Sequence, residues 1–107
     1  MEERIKKSIE ERIGLIAKEA VFSISGVSSL CNNAVNFNLR FKEIEKGIYL
    51  LQNNNELVFD VYINVVFGSK IPQIAFSVQE SIKKSIENNT SFKVDRVNIH
   101  VQGIDFN

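Results

Sequence analysis

The chain has 107 residues and a mass of 12.2 kDa, with thirteen basic residues against thirteen acidic, 44% hydrophobic content and 24% charged. That length makes a single domain, residues 1–107, able to bury about 65% of the surface its unfolded chain exposes. Balanced charge gives no general drive toward phosphate backbones or anionic membranes, and no apolar run approaches the roughly 20 residues that span a bilayer. The single cysteine, Cys31, cannot form an internal disulfide, which suits a reducing compartment. The charged amino end leads into a helical pattern with no apolar signal core behind it, so a cytoplasmic location is expected.

The first element is a helix over residues 2–22. Ile5, Ile9, Ile13, Ile16, Ala17, Ala20 and Ile24 form one stripe, while Glu2, Glu3, Lys6, Lys7, Glu10, Glu11 and Lys18 cover the polar side. Leu15 and Phe22 sit seven apart, well off that stripe. Two readings stand for them: scattered apolar residues rimming the core, or a small partner-binding face.

Ser25-Gly26 breaks the helix, and Val27 to Leu30 reads as a short strand. Residues 31–46 are ambiguous. Val35, Phe37, Leu39 and Phe41 alternate as a strand would, yet Ala34, Phe37, Phe41 and Ile44 also fit one helical face. Apolar side chains among Asn32, Asn33, Asn36, Asn38 and Arg40 need cover, from this core or from another chain. Gly47 opens a hairpin in which residues 48–51 pair with the next strand across residues 52–56. That asparagine-rich connection is too long for a two-residue turn, which leaves the register open.

The dominant stretch is strand, turn, helix, strand over residues 57–102. Leu57, Phe59, Val61, Ile63, Val65 and Phe67 alternate with Val58, Asp60, Tyr62, Asn64 and Val66, the pattern of a strand with one buried face. Gly68 ends it, and Pro72 falls where a first helical turn tolerates a residue without an N–H. Ile71, Ile74, Ala75, Val78, Ile82 and Ile86 then mark an amphipathic helix stopped by Asn88-Asn89. In the last strand Phe92 and Val94 lie on one parity and Val97, Ile99 and Val101 on the other. A β-bulge near Asp95-Arg96 restores one apolar face, and a second shift at Gly103 precedes Ile104 and Phe106. Short connections make the two long strands parallel neighbours with a right-handed crossover. The expected architecture is α+β: a two-layer sandwich with both helices on one face of a mixed sheet, built from a hairpin followed by a strand-helix-strand unit.

Chemistry is sparse. The only histidine, His100, alternates with Arg96, Asn98 and Gln102 on the polar face of the last strand, and Cys31 has no base nearby in sequence. A Cys–His dyad would require the fold to join them. One Cys and one His do not make a zinc site, and no P-loop or dinucleotide-binding glycine pattern is present. No cofactor or metal is expected. Gly68-Ser69-Lys70 at a helix start could hold an anion weakly, though an ordinary helix entry explains it as well. Asn88-Asn89-Thr90 and Asn89-Thr90-Ser91 match the glycosylation acceptor, but with no secretory signal they read as helix-ending turn formers. RNA binding is the alternative function for a small α+β domain. It lacks both the Gly-x-x-Gly clamp and the basic aromatic motif that RNA-binding folds of this kind carry, so nucleic acid is disfavoured as a partner. Phe76 lies among Gln73, Glu80, Lys83 and Glu87 on the polar side of the second helix. It is either an interaction anchor or a residue covered by the segment after Cys31.

Read in order, Ile16-Ala17, Gly26-Val27, Lys46-Gly47-Ile48, Asp60-Val61-Tyr62, Val66-Phe67-Gly68, Ile71-Pro72, Ala75, Val78-Gln79 and the run 97–104 resemble the alkaline shock protein family of Gram-positive bacteria. The resemblance covers residues 13–104. It implies a small α+β protein with no established catalytic residues, associated with envelope stress and envelope homeostasis. It also implies self-association and, in some members, a place at the inner face of the membrane through a membrane-anchored protein partner. This chain departs from the pattern in its Asn- and Phe-rich segment 31–46 and in lacking a long charged tail. The function expected is that of a non-catalytic interaction protein, with Leu15, Phe22, Phe37, Phe41 and Phe76 as the candidate partner-binding residues.

Overall fold

The computed structural model describes residues 2–32 and 39–106, with side chains from residue 9 onward. Helix α1 (Glu2–Phe22) is followed by strands β1 (Val27–Leu30), β2 (Lys42–Glu45), β3 (Ile48–Asn53) and β4 (Glu56–Val66), helix α2 (Ile71–Asn89) and strand β5 (Lys93–Asp105). β4 is the central strand. Along one edge it pairs antiparallel with β3 over residues 56–61 and with β1 over residues 63–65, so the two shorter strands share that edge end to end. Along the other edge it pairs parallel with β5 over its whole length, and β2 lies beyond β3.

Both helices pack on one face of this mixed sheet. Leu57, Phe59, Val61, Ile63 and Val65 of β4 meet Ile74, Val78, Ile82 and Ile86 of α2 and Ile13, Ala17, Ala20 and Val21 of α1 in a single core. Each of the Val, Leu, Ile and Phe side chains among them contributes about 1.5–3 kcal/mol when fully buried, which makes this layer the main source of stability. The helices run antiparallel to each other. Ser81 Oγ donates to the Ala20 carbonyl at 3.0 Å, and at the far end Arg12 Nη2 donates to the Asn89 carbonyl at 3.3 Å. α2 ends where the Thr90 amide and hydroxyl both donate to the Ile86 carbonyl. Glu87 Oε2 then accepts from the Val94 amide at 2.8 Å, fastening the helix end to β5.

Both parity changes expected in the last strand are present. Leu57 pairs with Val94 but Val58 with Arg96, which leaves Asp95 as the extra residue; Ile63 pairs with Val101 but Asn64 with Gly103, which leaves Gln102. Other expectations are corrected. The β3–β4 connection is a two-residue turn, Asn54-Asn55, flanked by the Asn53–Glu56 pair, with Asn54 at φ 57°. Asparagine tolerates that left-handed conformation, so the strands continue through residues that look like loop. β4 is not buried on one face alone: Val58 and Tyr62 are also buried, because a strand flanked on both edges is covered by its neighbours' side chains. Phe67 lies outside the strand and is exposed. On α1, Ile9 is exposed and Val21 takes a core position instead; Ile5 lies outside the described side chains. In the ambiguous segment, β2 begins only at Lys42, Leu39 is exposed, and Ala34, Val35 and Phe37 lie outside the described residues.

Candidate interaction surfaces

On α1, Leu15 and Phe22 point away from Ile13, Ala17, Ala20 and Val21, so the helix turns them outward. They are 55% and 46% exposed, about 10 Å apart along the axis, and interleaved with Glu11 and Lys18. On α2, Phe76 is 63% exposed on the side opposite Ile74, Val78 and Ile82. Phe41, in the turn before β2, is half-buried, and Phe37 lies outside the described residues.

A second group was not legible as a surface in the sequence. Phe67 and Phe106, 63% and 76% exposed, stack with ring centroids 4.7 Å apart. The Phe67 amide donates to the Asp105 carbonyl at 2.8 Å, which brings the two rings together where β4 and β5 finish, with exposed Ile104 beside them. The available signal was Phe67 standing directly before Gly68 and the apolar alternation of β5 running on to Phe106. Phe22, Phe67, Phe76 and Phe106 all belong to one end of the sandwich, where α1 ends and α2 begins. A groove of about 320 Å³ opens at that end, lined by Ile24, Gly26, Ser69, Lys70, Gln73 and Ser77. The opposite end carries Asn54, Asn55, Asn88 and Asn89 and is polar.

The face of the sheet away from the helices carries a group of interacting polar and ionisable side chains. Tyr62 stacks on His100 at 4.4 Å and meets the edge of Tyr49 at 5.6 Å. Asp60 Oδ1 accepts from Asn98 Nδ2 at 2.9 Å and lies 3.6 Å from His100 Nε2. Near β1, Asn64 Nδ2 donates to Ser29 Oγ at 3.0 Å, and Ser28 Oγ donates to Asp105 Oδ2 at 2.5 Å. Cys31 and His100 flank Tyr62 on neighbouring strands, since the Cys31 amide donates to the Tyr62 carbonyl and His100 pairs with Tyr62. Two strand spacings, about 9–10 Å, and the Tyr62 ring between them keep the thiol and imidazole from forming a dyad. Burial pushes the Cys31 thiol up; the Lys46 ammonium opposes this and the Asp105 carboxylate adds to it. Tyr62 is 6% exposed and its ring is already covered by His100, so it offers no platform on which a base could stack. Among the described residues no group of three or more His, Cys, Asp or Glu converges on a metal position, and no helix is long and apolar enough to cross a membrane.

These features define a class: a two-layer α+β domain with no charged side chain in its core among the described residues and with exposed aromatic rings toward one end. The chain belongs to the alkaline shock protein (Asp-23) family, described as having a cell envelope-related function, whose model matches residues 2–106. It is similar to the uncharacterized protein YqhY of Bacillus subtilis, 36% identical over 99 residues covering 90% of this chain and 73% of that protein. It is also similar to the uncharacterized protein YloU of the same organism, 35% identical over 66 residues, 62% of this chain and 55% of that one. A third relative is the uncharacterized protein Spy1535 of Streptococcus pyogenes serotype M6, 28% identical over 86 residues, 79% of this chain and 67% of that one. No solved structure gives a significant match.

Proposed function

We propose that the chain is a non-catalytic interaction protein of the envelope stress response or envelope homeostasis. It works at the cytoplasmic side of the membrane through self-association and through a membrane-linked protein partner. The observation that carries this reading is the set of exposed aromatic side chains toward one end of the fold, Phe22, Phe76 and the stacked Phe67–Phe106 pair, in a family with a cell envelope-related function. An aromatic anchor left in water costs nothing to the fold when truncated, yet dominates an interface when covered. Leu15 extends the same surface along α1, and Phe37 and Phe41 are the further candidates on the segment before β2. RNA binding, the alternative, gains nothing from Tyr49, Tyr62 and His100, whose rings are spent on each other.

The test is capture by the full-length chain from native cells with membranes retained, comparing wild type with Phe76→Glu. The variant should unfold within about 0.5 kcal/mol of wild type, as surface substitutions do, and should lose the membrane-linked protein. Capture of the same protein in undiminished yield by the variant would remove Phe76 from the interface. A variant that unfolds early would show that Phe76 belongs to the core.

A further inference from the structure

β5 is an edge strand of 13 residues; among the described residues it pairs with β4 alone. The carbonyl of Val97 accepts from Gln79 Nε2 at 2.9 Å, the position of an edge carbonyl turned away from the ladder. On that phase Val97, Ile99 and Val101 carry the outward backbone groups, because a parallel strand directs alternate residues to its two sides. α2 does not cover this edge completely. Ile99 and Val101 are only partly buried, and Ile104 is exposed.

The apolar pattern of this edge is the same read from either end. About Ile99, Val97 mirrors Val101, Val94 mirrors Ile104, and Phe92 mirrors Phe106. The spacing is not a regular alternation: each half contains one three-residue step, from Val94 to Val97 and from Val101 to Ile104. Those steps are where the extra residues Asp95 and Gln102 are inserted against β4. Asp95 lies four residues before Ile99 and Gln102 three after it, and because each half holds one such insertion the mirrored apolar positions share a face of the sheet. Charge follows the same symmetry. Lys93 mirrors Asp105, and no like charges mirror one another, since Asp95 faces Gly103 and Arg96 faces Gln102.

We propose that β5 pairs antiparallel with β5 of a second copy of this chain about a two-fold axis at Ile99, joining the two sheets through their mirrored apolar positions and two Lys93–Asp105 pairs. An antiparallel two-fold contact sets residue 99+k opposite residue 99−k of the other copy, so a sequence symmetric about its centre meets itself in register. The outward groups of Val97, Ile99 and Val101 supply about six backbone hydrogen bonds across the axis. Ile104 then lies opposite Val94 of the second copy, and Phe106 toward its Phe92. Gln79 yields the Val97 carbonyl, or shares it through the second lone pair. The inference rests on the self-association in the reading above and gives it a surface distinct from the aromatic end.

The register makes Asn98 and His100 of opposite copies a non-hydrogen-bonded pair, with Cα atoms about 4.5 Å apart, within the range a disulfide spans. On a Cys31→Ser background, an equimolar mixture of Asn98→Cys and His100→Cys chains should cross-link to the mixed dimer in preference to either variant alone. Separately, Lys93→Glu should weaken the dimer about tenfold by sedimentation equilibrium, and adding Asp105→Lys to the same chain should recover the loss. Circular dichroism checks that each variant keeps its fold. A single monomer mass for wild type across the micromolar range overturns the proposal and the self-association with it, leaving partner capture to be judged on its own. A dimer indifferent to Lys93→Glu that cross-links like with like overturns this interface while self-association stands.

Discussion

Single residues set the tolerances of this fold. Gly47 sits at the junction where β3 and β1 meet along β4, with φ +78°; a Cβ there would come within 2.8 Å of the Cys31 carbonyl oxygen and 3.1 Å of the Tyr62 carbonyl oxygen. Both neighbours are backbone and cannot swing aside. Gly47→Ala should therefore cost about 2 kcal/mol or more in urea unfolding, combining left-handed strain with the close approach. Cys31, beside this junction, has its thiol pushed up by burial, against the pull of Lys46. Alkylation by iodoacetamide near pH 8 should then run slower on the native chain than in urea, where the thiol regains ordinary acidity. The linkage has one sign. A folded-state pKa above the unfolded value means that the unfolded chain loses its proton first, so this group's contribution is intact below the unfolded pKa and is lost as pH rises through the folded one. Gly47 was legible as a turn from sequence alone. The reason only glycine fits, two other strands converging on it, was not.

Elements carry the periodicities, and periodicity was the readable part. The Ile74, Val78, Ile82, Ile86 series defines one face of α2, and the parity breaks of β5 locate both of its irregularities. Deleting Asp95 should be severe for the same reason. Without the extra residue, a strand paired at Val94 brings Val97, Ile99 and Val101 to the open face and Asn98 and His100 to the core. The expected outcome is loss of the cooperative thermal transition, a cost beyond the roughly 4–5 kcal/mol that marks exceptional single changes. Retention of a wild-type melting curve would mean that the strand absorbs the deletion elsewhere. The β3–β4 hairpin shows where pattern reading stops. Gln52, Asn53 and Glu56 have loop composition, and nothing local reveals that Asn54 takes positive φ and lets the ladder run to the tip. Strand pairing across the hairpin, a non-local term, outweighs that composition.

Across the whole molecule, surface and core separate differently from the way sequence suggests. Phe67 continues the alternation of β4 into what reads as a core position, yet the strand ends at Val66 and the ring turns to stack on Phe106 from the end of the chain. Val58 and Tyr62 read as belonging to the face away from the core and are buried. The order of apolar and polar residues was enough for the helices, the parallel β4–β5 pair, the bulges and the two-layer class. Each follows from interactions between near neighbours or from the demand that one face be dry. Which aromatic rings remain in water depended on distant segments meeting: α1 ending beside α2, β5 finishing alongside β4, and β1 sharing an edge with β3. Exposure is a property of the neighbours a side chain acquires, and a linear chain does not carry that information in any short window.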